Sequence, residues 1–221
     1  MARRCTASIN LNAIKKNYLY AKSLSPNTKA IAIVKANAYG HGAIKVASYL
    51  EDCADCYGVA CTEEAVELRN SGIDKTPILL MEGVFEVSEL KLIEKYNLIV
   101  TVCNSKQLQW LLDNIFIKPV DVFVKYDSGM GRLGFQDEEF INAINLLEES
   151  EKIGQITLMT HFSSADDLNS TSTNEQISNF DKTLYSKKYS ASLANSAGIM
   201  SWSESHREYT RPGIMLYGSS P

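Results

Sequence analysis

Five segments of this chain end an apolar run on side chains capable of chemistry. Ala32-Ile33-Val34 runs into Lys35, and Ala36-Asn37-Ala38-Tyr39-Gly40-His41-Gly42 follows, so an amine stands at the lip of a buried run ahead of a glycine-rich turn. Val124 is followed by Lys125-Tyr126-Asp127-Ser128-Gly129-Met130-Gly131-Arg132-Leu133-Gly134, Met159-Thr160 by His161, Leu193-Ala194 by Asn195-Ser196-Ala197-Gly198, and Thr210 by Arg211-Pro212-Gly213-Ile214. Brought to one place, Lys35, Lys125, Arg132, His161, Asn195, Ser196 and Arg211 would form a cationic pocket for an anionic small molecule. The backbone N–H groups of Ser196-Ala197-Gly198 and of Gly213-Ile214 are of the kind that hold phosphate. A lone lysine at a strand end is ordinarily a surface charge. Crowded by cations and partly desolvated, its neutral form is favoured and it becomes a nucleophile toward carbonyls. Pyridoxal 5'-phosphate, an aldehyde that carries a phosphate, fits such a site, and a Schiff-base aldolase fits the same residues.

Convergence requires a fold that gathers strand ends. A helix is expected over residues 10–24, where Leu11, Ile14, Tyr18 and Leu19 recur at helical spacing and Ser25-Pro26 stops the pattern. Eight apolar or β-branched runs follow, near residues 30–34, 57–61, 78–81, 98–102, 120–125, 156–161, 190–195 and 208–211. Helical stretches lie between them at 62–71, 87–96, 105–114, 137–152 and 174–184. Strands alternating with helices imply right-handed βαβ units and a parallel sheet, and eight strands are the number that closes a (β/α)8 TIM-type barrel. The expected architecture is therefore α/β, one barrel domain over residues 1–221 with an extra N-terminal helix, and an open doubly wound sheet is its rival. In a barrel the loops after the strand C-termini carry the chemistry, which places all of the polar residues above at one mouth.

Composition agrees with one ordinary globular domain. The 221 residues are 45% hydrophobic and 22% charged, enough apolar material for a sizeable core and too much for a disordered chain. A net charge of -4, with no basic stripe, argues against nucleic acid and anionic membranes as partners. No apolar run is long enough to span a bilayer. Arg3-Arg4 is followed by Ser8-Ile9-Asn10-Leu11-Asn12 rather than an apolar segment, so no export signal is read and a cytoplasmic location is expected. Five cysteines, odd in number and scattered, suit reduced thiols. Cys53-Ala54-Asp55-Cys56 has a zinc-like spacing but no matching second pair, so no metal is expected.

The segment from Val34 to Gly42 closely resembles the cofactor-lysine signature of the alanine racemase family. Residues 125–134, Thr160-His161-Phe162, Ala194-Asn195-Ser196-Ala197 and Arg211-Pro212-Gly213-Ile214-Met215-Leu216-Tyr217-Gly218 resemble later segments of that family in the same order, and the resemblance runs from about Ile9 to the last residue. It implies a barrel that binds pyridoxal 5'-phosphate covalently through Lys35, the same lysine serving afterwards as one of two acid/base groups at the substrate Cα. It further implies that Tyr39, Ser196 and the Gly213-Ile214 backbone hold the phosphate, with Asn195 beside them, and that Arg211 faces the pyridine nitrogen. A guanidinium does not give its proton away, so that nitrogen would stay unprotonated. Arg132 is matched to the residue near the substrate carboxylate, Lys125 to a lysine that can be carbamylated, and His161 to an imidazole linking the arginine to the second base.

Family members carry a further β-rich domain after the barrel, and it is expected to be absent here, since the chain stops at Tyr217-Gly218-Ser219-Ser220-Pro221. In the family that domain supplies the opposite-face tyrosine from the partner of a homodimer. The implied reaction is racemisation of L-alanine to D-alanine, a step toward peptidoglycan precursors, with poor turnover by this chain alone because one base returns the proton to the face it left. The choice between alanine and serine or another small amino acid is left open, because the family places substrate-lining residues in that further domain. The competing readings are a non-catalytic single-domain barrel that binds pyridoxal phosphate for its homeostasis, and a decarboxylase of basic amino acids. Against the latter, such enzymes usually set an acidic residue, and not an arginine, at the pyridine nitrogen.

Overall fold

The computed structural model describes residues 5–183 and 185–221, so Arg3-Arg4 and Leu184 lie outside the described residues. Eight parallel strands close on themselves in sequence order: β1 (Lys29–Ile33), β2 (Cys56–Val59), β3 (Ile78–Leu80), β4 (Leu98–Val102), β5 (Val120–Lys125), β6 (Ile153–Met159), β7 (Ser190–Ser192) and β8 (Tyr209–Thr210). The barrel is as expected, and the open sheet is excluded by the β1–β8 pairing of Lys29 with Tyr209 and Ala30 with Thr210.

The strands read as continuous apolar runs because both of their faces are buried. Alternation sorts the side chains. Ile31, Ile33, Cys56, Leu79, Phe123 and Met159 form one cluster with Met81, Ile99 and Tyr209, the barrel interior. Ala30, Ala32, Val34, Tyr57, Val59, Val100, Val122, Val124 and Leu158 belong to the larger cluster between the strands and the surrounding helices. Cys56 thus fills the interior while Cys53 packs at the edge of the outer layer, and all five cysteines are free thiols.

Helix α1 (Leu11–Leu24) starts one residue later than expected because Asn10 is its N-cap, its side chain accepting from the Ala13 N–H at 3.0 Å. Ile14, Tyr18 and Ala21 form its buried face, while Leu19 is 46% exposed and lies off the stripe. After β1 comes a single turn, α2 (Lys35–Tyr39), and then α3 (Ala43–Leu50), a helix the sequence reading omits even though its buried Ala43, Val46, Ala47 and Leu50 recur at i, i+3, i+4 and i+7. The glycines beside it drew the segment toward a turn.

The remaining helices are α4 (Thr62–Asn70), α5 (Leu90–Lys95) with a 3-10 turn (Val87–Glu89) before it, α6 (Ser105–Asp113), α7 (Asp137–Glu148), α8 (Ser172–Asp181) and α9 (Ser196–Ser201). Helix α7 ends four residues before the expected boundary at 152, since β6 already begins at Ile153. None of the helices described is long and apolar enough to cross a membrane.

Candidate active site

Each wall of the site follows a strand C-terminus. After β1, Ala36, Asn37, Ala38 and Tyr39 all have φ between 52° and 54°, a left-handed turn built without glycine. Each such residue costs roughly 1–2 kcal/mol, so the conformation persists only where the surroundings impose it. Inside the turn, Ala38 N–H donates to Val34 O at 2.8 Å and Gly40 N–H to Ala36 O at 3.0 Å, and the Asn37 side chain accepts from Ala43 N–H at 2.8 Å. The result is that Lys35 and Tyr39 line the same cleft.

After β5, residues 126–135 form a loop whose base is closed by the Tyr126–Phe135 bridge. The Asp127 carboxylate accepts from the backbone N–H groups of Gly129, Met130 and Gly131 at 2.9–3.1 Å, which shapes the middle of the loop and leaves Arg132 exposed at its tip. Gly134 has φ +127°, and a Cβ there would meet Asp127 N at 2.8 Å, so only glycine fits. Lys125, at the end of β5, is 6% exposed and does not itself line the cleft; burial, with a smaller push from Arg211 and Arg132, brings its ammonium down to about 8.

Arg211 is the central buried group. Its Nη1 donates to Ser192 O at 2.7 Å and to Ser192 Oγ at 2.6 Å, and its Nη2 donates to Thr160 O at 2.6 Å and Leu193 O at 3.1 Å. These bonds tie together the ends of β6, β7 and β8. Burial lowers its pKa to about 9, which still leaves the guanidinium charged at neutral pH. Nη2 also lies 3.4 Å from His161 Nδ1. A guanidinium can only donate, so Nδ1 accepts and the imidazole proton sits on Nε2. Burial and then Arg211, Lys125, Arg132 and Lys35 drive the His161 pKa down to about 2, so the ring is neutral.

Asn195 caps α9, its side chain accepting from Gly198 N–H at 2.9 Å. Ser196 Oγ accepts from Gly213 N–H at 3.0 Å and Met215 N–H at 3.3 Å. A Cβ on Gly213 would stand 3.2 Å from Tyr39 Oη and 3.8 Å from Ser196 Oγ, so the bare glycine keeps open a polar cradle between β1 and β7. The complete cleft, about 390 Å³, is lined by Lys35, Tyr39, Arg132, His161, Asn195, Ser196, Arg211, Gly213 and Ile214, with Ile33 and Met81 as its apolar floor.

The cleft is less uniformly cationic than expected. Glu82, after β3, places a carboxylate oxygen 3.8 Å from Lys35 Nζ, and Asp166 is among the residues that line the cleft. Lys35 thus has an anion as its ion-pair partner, where the sequence predicts cations around it. Glu82 follows β3 by two residues and Asp166 follows β6 by seven, so their positions after strands are local features while their partners are not. Gln176 was also missed. It is buried on α8 and donates to His161 O at 3.0 Å while accepting from Ser163 N–H at 2.9 Å, and nothing in its sequence neighbourhood marks it.

A cofactor with an aldehyde, an aromatic ring nitrogen and a phosphate fits this donor set. Lys35 supplies the amine, the Tyr39–Ser196–Gly213 cradle suits a phosphate, and Arg211 Nε, buried without an acceptor among the described residues, suits a ring nitrogen. Comparison with known proteins agrees. Residues 9–221 match the family model described as alanine racemase, N-terminal domain. The chain belongs to this family. It is 44% identical over 219 residues to the alanine racemase of Xylella fastidiosa, covering 99% of this chain and 60% of that protein, and 43% identical to the catabolic alanine racemase of Pseudomonas putida, of which it covers 61%. Among solved alanine racemases, the biosynthetic enzyme of Pseudomonas aeruginosa superposes with a TM-score of 0.93 at 40% identity, over 96% of this chain and 59% of that one. The Bartonella henselae alanine racemase, solved with covalently bound pyridoxal phosphate, superposes at 0.84 with 28% identity, over 96% of this chain and 63% of that one. The chain thus spans about 60% of the length of the alanine racemases it matches.

Proposed function

We propose that this chain is the cofactor-binding barrel of a pyridoxal 5'-phosphate-dependent racemase that interconverts L- and D-alanine. The observation that carries the reading is the joint presentation of Lys35, the Arg211–His161 pair and the Tyr39–Ser196–Gly213 cradle in one cleft. When bound, the cofactor supplies an electron-accepting ring that acidifies the substrate Cα–H.

The residues of the chain divide the remaining work. Lys35 would hold the cofactor covalently, and its amine is the group that would take or return the substrate Cα proton from one face. Arg132 at the loop tip meets the substrate carboxylate with a planar cation. Tyr39, Ser196 and the Gly213-Ile214 backbone hold the phosphate beside Asn195. Arg211, fixed by its bonds to backbone carbonyls, would face the ring nitrogen without giving up its proton, which would limit the ring's electron demand and favour plain proton exchange over other outcomes. His161, neutral and bonded to Arg211, passes the influence of that guanidinium toward a second base. Lys125 is the carbamylation candidate: an amine pushed down to about 8 presents a neutral fraction that adds CO2 with release of a proton, and the anion formed would steady Arg132.

The opposite-face base belongs to the β-rich domain of the family, reached across a homodimer, so the barrel by itself exchanges the Cα proton faster than it inverts the centre. Alanine as substrate and five free thiols fit work in the cytoplasm. The names of the matched relatives favour this reading over a non-catalytic homeostasis barrel.

The test is borohydride reduction after incubation with pyridoxal phosphate, followed by mass mapping. A single adduct at Lys35 is expected. No adduct, or label scattered over surface lysines, overturns the reading.

A further inference from the structure

We propose that Glu64 is a positioning residue, the side chain that holds the left-handed turn bearing Lys35 and Tyr39. This rests on Lys35 being the cofactor lysine. The turn carries four successive non-glycine residues at positive φ, a conformation that needs external support. Its internal bonds leave the N–H of its first left-handed residue, Ala36, without an acceptor in the turn. That N–H donates to Glu64 Oε1 at 2.7 Å, across 28 residues of chain. The other oxygen, Oε2, accepts from Ala60 N–H at 2.8 Å. One carboxylate therefore ties the end of β1 to the end of β2.

The bonding departs from what local helix chemistry gives. Cys61 is the N-cap of α4, which makes Glu64 the third helical residue, where a glutamate ordinarily reaches back to the N-cap's own N–H. Here both oxygens reach past the cap, one of them to the lysine turn. Glu63 supplies the contrast. It lies in the same first turn with the same favourable relation to the helix dipole, yet its carboxylate meets only its own backbone and the neighbouring Cys61 and Thr62 among the described residues. Glu64 touches neither Lys35 nor the cleft; it acts through the Ala36 backbone.

Three variants of the 221-residue chain test this: Glu63→Gln, Glu64→Gln, and Glu64→Gln combined with Ala36→Gly. Glutamine keeps the size of residue 64 but sets an amide NH2 against one of the two backbone donors. Glycine adopts positive φ without steric cost and so removes the strain at residue 36, the position whose N–H the carboxylate holds. The readouts are the rate of absorbance change as added pyridoxal phosphate condenses with Lys35, the yield of borohydride-fixed adduct at Lys35, and Tm. Glu63→Gln is expected to match the parent, Glu64→Gln to attach the cofactor at least about tenfold more slowly while folded, and Ala36→Gly to restore most of that loss. A general structural role would lower Tm without selective rescue from residue 36.

Parental attachment by Glu64→Gln, an equal loss in Glu63→Gln, or no rescue by Ala36→Gly overturns the proposal. Amide exchange in the unaltered chain tests it even where Glu64→Gln does not fold. Ala36 lies on the surface, so slow exchange of its N–H is expected from the bond, and fast exchange overturns it. A parent chain that takes up no cofactor at Lys35 overturns the functional reading and this inference together.

Discussion

Lys125 and His161 show at the level of single side chains how the barrel shapes reactivity by burial. Lys125 titrates at about 8 in the folded chain, against 10.5 for the free side chain. Between those values the unfolded chain holds a proton that the folded chain has released, so stability rises with pH across the window. Below about pH 8 the folded state carries a buried ammonium, at a cost of about 3 kcal/mol. Replacing it by an uncharged side chain of similar length removes that cost. Lys125→Met is expected to be more stable than the parent by about 1–3 kcal/mol at pH 7 in bicarbonate-free buffer, with the difference shrinking as the pH is taken from 8 to 10.5. Urea denaturation at several pH values measures this, and a gap indifferent to pH would show that Lys125 is not buried as an ammonium. His161 is depressed in the same sense, so it stays neutral through the physiological range and its folded environment loses stability only as the pH falls below 6.5.

Among the elements, the loop between β5 and α7 is the most dependent on backbone geometry. Gly134 combines φ +127° with a Cβ position already occupied by the backbone of Asp127 and Lys125, whereas Gly131, at φ +70°, opens onto free space. Gly134→Ala is therefore expected to cost at least about 2 kcal/mol and Gly131→Ala about 1 kcal/mol, read as the difference in thermal unfolding between the two variants. Equal effects would mean that the loop relaxes around residue 134. The same scale shows what could be read in advance. Strand-end residues such as Lys35, His161 and Arg211 were legible because an apolar run that stops on a charge is a strong local pattern. The helix α3 was not, because Gly40 and Gly42 spoke locally for a turn while the stripe Ala43, Val46, Ala47 and Leu50 becomes decisive only against the packed core. Glu82, Gln176 and the hold of Glu64 on Ala36 are contacts between distant segments, and no one-dimensional window contains both halves of them.

For the molecule as a whole, eight alternating units were enough to expect a closed barrel, and the seam that closes it is short. Strand β8 has two residues; it pairs with β1 through two positions and with β7 through Ser192 and Tyr209. Helix α1 ties down the β1 side of this seam and the start of β2. Tyr18 of α1, fully buried, donates its hydroxyl to Ala30 O on β1 at 2.9 Å and accepts from Asp55 N–H at 3.0 Å, while Asp55 pairs with Lys22 at 2.7 Å and accepts from Ala30 N–H at 2.8 Å. Tyr18→Phe leaves Ala30 O and Asp55 N–H unsatisfied and is expected to cost about 1–3 kcal/mol by urea denaturation, a loss absent if water replaces the hydroxyl. Arg211 sits on this seam, and its bonds to Thr160, Ser192 and Leu193 exist only when the last strand has docked between the first and the seventh. During synthesis the ribosome releases β1 long before β8, so the nascent chain carries Lys35 for most of its length without the guanidinium or the glycine cradle that complete its surroundings. On the proposed function, lasting cofactor capture at Lys35 would wait for ring closure, because only then do Arg211 and the Gly213 cradle stand beside the amine.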